Sequence, residues 1–372
     1  MRRSKKQLSF FSKSLLFINA VFIALLLLSY LAPFINPSKF WPIAFLGLAY
    51  PFLLLGNFLL LIFWLFRKPA YSLPSLLVVL LGWKFLTSFI GFRESTAIQV
   101  PKSSPEFLRV MTYNVHSFKK FGASNEENIK NQILNIIRQE QPDVICFQEF
   151  FTRKRGKYNF KKAVQEILGS RYVYFEPSVD NGYEALGLAI FTKLPIQEKG
   201  SIWFDETNKG NGAIFIDLKF RGKLIRIYNT HFQSIKFQPE DYNYLNQVKT
   251  DINTDMISPR RIGGRLKRAF IKRSKQVKIL KEHTLTCETP YLIAGDFNDT
   301  PVSYTLQQMG SGMLNAFREK GSGLGMTYNG DFPNFQIDYI LTTTDFQVKN
   351  YRIINKKLSD HYAVRADVEL VQ

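Results

Sequence analysis

The 372-residue sequence predicts an α/β (α+β) fold, a four-layer α/β/β/α sandwich of two packed mixed β-sheets flanked by helices. An N-terminal bundle of about three transmembrane helices is expected to precede it. Two observations lead to this prediction. Long apolar runs are concentrated in the first hundred residues. The remainder alternates many short strand-like runs with a few amphipathic helices, which favours packed sheets with helices outside them.

Three apolar runs near the N-terminus predict membrane-spanning helices at about residues 15–34, 41–66 and 71–92. A spanning helix needs about 20 apolar residues, and each run reaches that length. Lys84 interrupts the third run. A lysine costs about 2.5–3.5 kcal/mol at a helix centre and less off-centre, so this span has the weakest support. The further apolar runs, and the lack of a clear small-x-small site after the first run, argue against a cleaved signal peptide.

The distribution of basic residues predicts the orientation and the domain boundaries. The basic N-terminus and the Arg67-Lys68 loop are expected to stay cytoplasmic. Three spans would then carry the rest of the chain out of the cytoplasm, into the periplasm of a bacterial-type cell, whereas two spans would leave it cytosolic. We therefore expect a multi-pass cell-membrane protein with a membrane region at 1–95, a linker at 96–106 and a folded domain at 107–372.

The net charge of +19 is shared between both parts of the chain. The first 100 residues hold 10 basic and 1 acidic residues, so residues 101–372 hold 39 basic and 29 acidic ones, a difference of +10. A domain of this charge favours anionic partners such as nucleic acid or anionic lipid. Two cysteines and four histidines exclude a thiolate zinc cluster.

The second part of the sequence predicts the strands and helices of the sandwich. Its strand-like runs are Leu108–Val115, Val144–Phe147, Tyr172–Phe175, Leu188–Thr192, Ala213–Phe220, Lys223–Asn229, Tyr291–Ala294, Ile337–Thr342 and Ala363–Leu370. A helix is expected to begin at Ser124, where Glu127 completes a capping box. Further helices are expected at Phe160–Leu168, Arg265–Glu282 and Val302–Met309. Arg221-Gly222 separates two of the strand-like runs and predicts a hairpin.

Polar residues follow the apolar strands at the points where the chain leaves the core. They are Asn114, Glu149, His231, Asp296, Asn298, Asp338, Asp360 and His361. A single strand-end Asn or Asp usually caps a turn, so the prediction of a common site depends on their occurring together. Asp296 and Asn298 are two residues apart and would project to the same side of an extended chain, whereas Asp299 would point away.

Six motifs, in this order, resemble those of the endonuclease/exonuclease/phosphatase family. They are Thr112-Tyr-Asn114, Gln148-Glu149, Asn229-Thr-His231, Gly295-Asp-Phe-Asn298, Ile337-Asp-Tyr339 and Ser359-Asp-His361. The resemblance extends from about residue 108 to residue 370 and leaves out the membrane region. It implies a hydrolase of phosphate esters that depends on a divalent metal, Mg²⁺ with Mn²⁺ as the alternative, since hard cations prefer oxygen ligands.

The resemblance also implies which residues hold the metal and the phosphate. Asn114 and Glu149 would hold the metal, with Asp360 as a further or water-mediated ligand. His361 would contact the phosphate or act as the base. Asp338 would orient His361, as a carboxylate orients the histidine of a hydrolase triad.

The three other residues would act on the water and the leaving group. By the same resemblance, Asp296 would position or deprotonate the attacking water and Asn298 would donate to a phosphate oxygen. His231 would stabilise the phosphate or protonate the leaving group. The sequence leaves open which of Asp296, His231 and His361 is the acid and which is the base.

The substrate class stays open between nucleic acid and lipid. Ten basic residues fall within 22 positions: Arg260, Arg261, Arg265, Lys267, Arg268, Lys272, Arg273, Lys275, Lys278 and Lys281. They form either a solvated helix face or a patch that binds anions. We therefore expect a nuclease-like phosphodiesterase or, alternatively, a phospholipid or sphingolipid phosphodiesterase or phosphatase at the membrane surface. A catalytically silent membrane scaffold is the remote alternative, and the oligomeric state is left open.

Overall fold

The computed structural model describes residues 8–93, 102, 104–118, 127–207, 209–238, 240–241, 257–330 and 333–371. The predicted helix start at Ser124 and most of the predicted linker lie outside the described residues. Within the described ranges, an N-terminal helical bundle packs against a sandwich of two sheets.

The N-terminal bundle contains two long apolar helices, α1 (Phe10–Ser29) and α2 (Pro42–Arg67). Both are long and apolar enough to cross a membrane. The third predicted span is a bent pair, α3 (Leu73–Leu81) and α4 (Trp83–Phe89), which turns by 68° at Gly82. A Cβ at Gly82 would come within 2.1 Å of the Tyr30 hydroxyl, so glycine at the bend leaves room for the Tyr30 side chain.

The bent pair runs back along α2 in the opposite direction. Tyr71, just before α3, packs edge-on against Trp64 near the end of α2, with ring centroids 5.2 Å apart. Phe89, at the end of α4, stacks on Tyr50 in the first half of α2 at 5.1 Å. The segment therefore returns the chain from the end of α2 towards its beginning.

Two six-stranded sheets form the middle layers. The strands of the first sheet are β2 (Leu108–Asn114), β3 (Val144–Arg153), β4 (Tyr172–Asp180), β5 (Glu184–Thr192), β13 (Phe346–Ile354) and β14 (Ala363–Leu370). Those of the second are β6 (Ile196–Trp203), β7 (Gly212–Phe220), β8 (Lys223–His231), β9 (Tyr291–Asp296), β10 (Leu314–Asn315) and β12 (Asp338–Thr342). A separate short pair joins β1 (Ile90–Phe92) to β11 (Ser322–Leu324).

The strand orders make both sheets mixed. The first sheet has the order β13-β14-β2-β3-β5-β4 and the second β10-β12-β9-β8-β7-β6. The pairs β2–β3 and β8–β9 are parallel, and the other neighbours are antiparallel. Apolar side chains from both sheets, such as Val110, Val144, Ile216 and Ile227, form the core between them.

Helices cover the two outer faces. α5 (Glu127–Glu140) and α6 (Phe160–Leu168) pack on the first sheet through apolar side chains. α7 (Ile257–Leu285) and α8 (Tyr304–Gly310) pack on the second. A short helix, α9 (Ala316–Lys320), follows β10. The predicted four-layer α/β/β/α sandwich is confirmed.

Within the described ranges the predicted elements are present; β14 has the predicted bounds, and others, such as β3, end several residues away from the predicted position. α6 has the predicted bounds. The hairpin at Arg221-Gly222 joins β7 to β8, and its φ angles of 51° and 80° suit the two-residue turn that twisted hairpins favour. β6 and β13 were missed, and α7 begins at Ile257, before the predicted Arg265.

The bundle packs directly on the sandwich through the beginning of α2 and the loop before it. In that loop, the Ser38 hydroxyl lies 2.8 Å from the Ser274 hydroxyl of α7. Phe45 of α2 packs edge-on against Phe270 of α7, with ring centroids 5.3 Å apart. A Cβ at Gly47 would lie 2.4 Å from the carbonyl oxygen of Val302, so only glycine permits this close approach.

Candidate active site

The polar residues predicted from the strand ends meet in one cleft. Asn114 ends β2, His231 ends β8 and Asp296 ends β9. β8 and β9 are parallel neighbours, so their carboxyl ends lie at the same edge of the sheet. Seven of the eight predicted site residues line the cleft. The eighth, Asp338, lies behind His361.

His361 and Asp338 form a buried hydrogen-bonded pair. His361 Nδ1 lies 2.9 Å from Asp338 Oδ2 and 3.1 Å from Oδ1, which requires a proton on Nδ1 because a carboxylate only accepts. Burial disfavours a charged imidazole, but the negative charges of Asp338 and Asp296 outweigh it and raise the pKa of His361 well above its usual value. The pair therefore fixes the orientation of the imidazole.

Asp296 lies between two imidazoles. Its Oδ2 is 3.6 Å from His231 Nε2 and 3.6 Å from His361 Nε2. Burial raises the pKa of Asp296 to about 6, although the charge of His361 offsets part of the effect and that of Asp338 adds to it. A carboxylate with such a pKa can exchange a proton near neutral pH.

Asn298 reaches Asp296 through a turn, and the extended chain predicted for this segment is wrong. Its φ is 51°, and its backbone N–H donates to Asp296 Oδ1 at 2.8 Å. Its side-chain nitrogen donates to Asp296 Oδ2 at 3.1 Å and to the Phe232 carbonyl at 3.0 Å. Asp299 is directed elsewhere, and its Oδ2 accepts from Arg273 Nε at 3.0 Å.

Glu149 and Asp360 form an acidic wall, and His116 contacts both. His116 Nδ1 lies 3.4 Å from Glu149 Oε2 and 3.7 Å from Asp360 Oδ1. Burial opposes ionisation of Glu149, but the hydrogen bond with His116 and the nearby imidazoles outweigh it and lower the pKa of Glu149 to about 2. The same hydrogen bond raises the pKa of His116.

His116 is a cleft residue that was not predicted from the sequence. It begins a short turn in which His116, Ser117 and Phe118 have φ values of 42°, 57° and 57°. Three successive non-glycine residues in this region are strained. Phe118 anchors the turn by stacking on Phe160, with ring centroids 3.8 Å apart. The available signal was its position two residues after the strand-end Asn114.

The acidic wall fits a hard divalent cation. Glu149, Asp360 and Asn114 bring two carboxylates and an amide oxygen, the ligands that Mg²⁺ prefers. The Asn114 amide is held in place, because its nitrogen donates to Asp296 at 3.1 Å and its oxygen accepts the His116 N–H at 3.1 Å. Ligand atoms of Asp296, Asp338 and His361 also lie within 4.8 Å of one another. There, however, the Asp338 hydrogen bond already occupies His361 Nδ1.

His231 presents a polar atom without a partner. Its Nε2 is buried and makes no hydrogen bond within the described ranges of the chain. An unsatisfied buried polar atom costs about 1–3 kcal/mol. Because this atom lies beside Asp296 in the cleft, an oxygen of a bound phosphate would satisfy it.

The basic stretch falls on α7 and divides into structural and exposed cations. Arg273 is buried against Asp299. Arg261 and Arg265 pair with the buried Asp241 at 2.7 and 2.8 Å. The exposed members of the stretch include Arg268, Lys272, Lys275 and Lys278. Several of the ten cations thus stabilise the fold, and the others form a charged outer face of α7.

Family models match both parts of the chain. A model described as the endonuclease/exonuclease/phosphatase family matches residues 111–361. Residues 12–89 match a family described as a domain of unknown function. No curated protein matches the sequence.

Solved structures share the fold of the sandwich. One is an endonuclease/exonuclease/phosphatase from Beutenbergia cavernae, with 18% identity, a TM-score of 0.51 and 72% of each chain covered. Another, from Bacteroides vulgatus, has 18% identity and a TM-score of 0.52, and covers 71% of this chain and 99% of that one. The human Nocturnin catalytic domain has 18% identity and a TM-score of 0.50, with 72% and 95% covered. Since the family model spans more than half of the sequence, this chain belongs to the endonuclease/exonuclease/phosphatase family.

Proposed function

We propose that this protein is a membrane-anchored phosphoesterase that uses Mg²⁺, with Mn²⁺ as the alternative, to hydrolyse a phosphodiester bond. The observation that supports this most is the buried array in which Asp338 contacts His361 and Asp296 lies between His361 and His231. Hydrolysis of a phosphate ester needs an activated water, a stabilised phosphoryl charge and a protonated leaving oxygen. The array and the adjoining acidic wall meet these needs, which argues against a silent scaffold.

The acidic wall would serve the phosphate. Glu149, Asp360 and Asn114 would hold the cation, and a bound cation would neutralise charge on the phosphate. The low pKa of Glu149, about 2, keeps its carboxylate ionised at neutral pH. His116 contacts both carboxylates and would hold them in place before the cation binds.

The acid–base array would act on the water and on the leaving oxygen. Asp296, largely ionised above its pKa of about 6, would take the proton of the attacking water. His361, held by Asp338, would donate from Nε2 to the phosphate. His231 would protonate the leaving oxygen through Nε2, the atom without a hydrogen-bond partner in the described chain.

Asn298 would act mainly on Asp296. Both hydrogen bonds from its side-chain nitrogen go to protein atoms, one of them Asp296 Oδ2. The predicted donation to a phosphate oxygen would require one of these bonds to open. We therefore propose Asn298 as a positioning residue for the general base.

The membrane anchor and an extracytoplasmic catalytic domain are part of the proposal. α1 and α2 have the length and apolarity of membrane spans, and the bent pair α3–α4 follows α2 back towards its beginning. The catalytic domain contacts the loop between α1 and α2, which lies at the opposite end of α1 from the basic N-terminus. If that N-terminus is cytoplasmic, the domain faces the periplasm or the cell exterior.

The test is hydrolysis of bis(p-nitrophenyl) phosphate by the full chain in detergent, with Mg²⁺ and with EDTA. We expect Mg²⁺-dependent turnover. His361→Ala and Glu149→Ala should abolish it, and Asp338→Asn should lower it by about 10²- to 10⁴-fold while the thermal unfolding midpoint stays within a few degrees. Asp345→Asn, at an exposed aspartate before β13, is the matched control and should keep the wild-type rate. Wild-type rates in either of the first two variants would contradict the assignment.

A further inference from the structure

The N-terminal bundle contributes a residue to the lining of the active-site cleft. Leu48, in the second turn of α2, lines the same cleft as Glu149, Asp296 and His361. A helix with the length and apolarity of a membrane span thus borders the proposed reacting groups directly.

The side of the cleft next to α2 is apolar. Its side chains come from the segment after β8 and from α7: Ile235, Phe237, Leu266 and Phe270. Leu266 and Phe270 belong to a buried apolar cluster of α7. Ile235 and Phe237 pack against this cluster, and so do Ala44, Phe45 and Leu48 of α2. The cleft therefore has two unlike parts, the acid–base array with its acidic wall and an apolar groove between α2 and α7.

The apolar groove continues out of the cleft onto the exposed face of α2. Leu48, Phe52 and Leu55 are spaced by four and three residues, so they lie on one face of the helix. Phe52 and Leu55 are each 55% exposed. Phe52 also packs edge-on against Phe335, another cleft residue, with ring centroids 6.4 Å apart. An apolar path therefore leads from the cleft to the surface that α2 would present to lipid.

We propose that the substrate is a membrane amphiphile, a phosphate ester whose apolar tail lies in the groove along Leu48 and Phe52 while its phosphate reaches His361. This inference rests on the phosphoesterase function proposed above. The path keeps the tail in apolar surroundings while the ester moves from the bilayer to the cleft. Each methylene buried in the groove is worth about fourfold in affinity.

Charges around the cleft match an anionic headgroup region. Lys236 lines the cleft. Lys267 of α7 lies over the ring of Trp41 at 4.6 Å, and tryptophan at a helix end is typical of the membrane–water interface. The exposed Arg268 and Lys272 follow on α7. Basic residues at this level attract the negative surface of a membrane.

A nucleic acid fits this arrangement less well. Its strand continues on both sides of the scissile phosphate and carries a charge at every nucleotide. On the α2 side those charges would face Leu48 and Phe52, and beyond them the lipid-facing surface of α2. Charges brought against apolar surface without partners are costly. The apolar groove therefore favours a substrate with one phosphate ester and a tail.

The experiment compares ethyl and hexadecyl p-nitrophenyl phosphate, which share the reacting group and differ in the tail. The full chain is held in phosphatidylcholine nanodiscs with Mg²⁺, and the measured quantity is the hexadecyl-to-ethyl ratio of kcat/KM. Partitioning of the long ester into the disc is the same for every variant, so it cancels between them. We expect Leu48→Ser to lower the ratio about tenfold. Ile235→Ser, outside the membrane bundle, should lower it likewise.

The matched control is Leu65→Ser, 48% exposed and about 25 Å further along α2, which should keep the wild-type ratio. Equal ratios in Leu48→Ser and Leu65→Ser, or plasmid DNA cleaved faster than the hexadecyl ester, would overturn the inference. Failure to hydrolyse either ester would contradict the phosphoesterase function instead. In that case the groove can still be tested by binding of hexadecyl phosphate. This compound should raise the Tm of the wild-type protein and leave the Tm of Leu48→Ser unchanged. A missing rise in wild type would overturn the groove independently of turnover.

Discussion

The side-chain nitrogen of Asn229 donates to the carbonyl oxygen of Phe147 at 2.8 Å and so joins the second sheet to the first. Its side-chain oxygen accepts from Gln148 at 2.6 Å. β3 is irregular after Phe147, and Glu149 has a φ of 51° there. Asn229 therefore holds, from the opposite sheet, the irregularity that directs Glu149 into the cleft.

Asn229→Ala should weaken both the fold and the cation site. The change leaves buried partners unsatisfied, so we expect a loss of about 1–3 kcal/mol in the free energy of unfolding. The Mg²⁺ concentration for half-maximal turnover should rise, because Glu149 loses its support. Thr342→Val is the control, since the Thr342 hydroxyl is buried and has no hydrogen-bond partner among the described residues. A destabilised Asn229→Ala with an unchanged Mg²⁺ requirement would make Asn229 purely structural.

The fold could be predicted from the sequence where the local pattern and the tertiary environment agree. α6 has an apolar stripe and a capping Asn159, and its bounds match the prediction. β6 was missed because its outward residues are mostly polar and it lies at a sheet edge. α7 extends through Gly263-Gly264, which disfavour a helix on their own. The cluster that Ile262 forms with Leu266 and Phe270 packs against α2, and this contact stabilises the helix.

The site could be predicted in composition but not in its backbone geometry. Strand-end polar residues and their order pointed to the eight residues that the structure brings together. The left-handed turns at His116 and Asn298 leave only a weak mark in the residue pattern, since asparagine and histidine are enriched at positive φ but usually adopt ordinary backbone angles. The contribution of Leu48 to the cleft is invisible, because it depends on how α2 docks against α7.

At position 149, glycine should be more stabilising than alanine, the reverse of the order usual in a helix. With a φ of 51°, any residue with a Cβ is strained there by about 1 kcal/mol or more. Both Glu149→Ala and Glu149→Gly lose the carboxylate, so comparison of their unfolding free energies isolates the backbone. We expect Glu149→Gly to be the more stable by about 1 kcal/mol. At the exposed helical Glu166 the normal order should hold, with alanine the more stable by about 1 kcal/mol. The same order at both sites would mean that Glu149 is unstrained.

The buried pair of Arg109 and Asp367 should contribute strongly to the free energy of unfolding. Arg109 Nε and Nη2 donate to the two Asp367 oxygens at 2.7 and 2.9 Å, and both side chains are 1% exposed. Asp367→Asn leaves a buried guanidinium without its counter-charge, so the free energy of unfolding should fall by about 3–5 kcal/mol. Glu166→Gln, which removes the exposed pair with Lys162, should change it by less than about 0.5 kcal/mol. The free energies of unfolding of Asp367→Asn and Glu166→Gln are to be measured by denaturant unfolding in the same detergent.

Asp296 should make the metal-free protein less stable as pH rises. Its pKa is raised from 3.8 to about 6, mainly by burial. Between these values the folded state binds more protons than the unfolded state, so the free energy of unfolding falls with increasing pH across this window. Asp296→Asn removes the carboxylate, and the fall in the free energy of unfolding with pH that is due to it should disappear.

With EDTA, the stability of Asp296→Asn relative to wild type should therefore rise from pH 4 to pH 6 and level off above. The gain at pH 7.5 should be on the order of 1–3 kcal/mol, in a variant without turnover. Thr342→Val provides the control, because neither side chain at that position titrates and its difference from wild type should be constant with pH. If the difference between Asp296→Asn and wild type were equally flat, Asp296 would be ionised in the fold throughout this range. Asp296 as the proposed general base would then owe its reactivity to His361 and His231 beside it and not to burial.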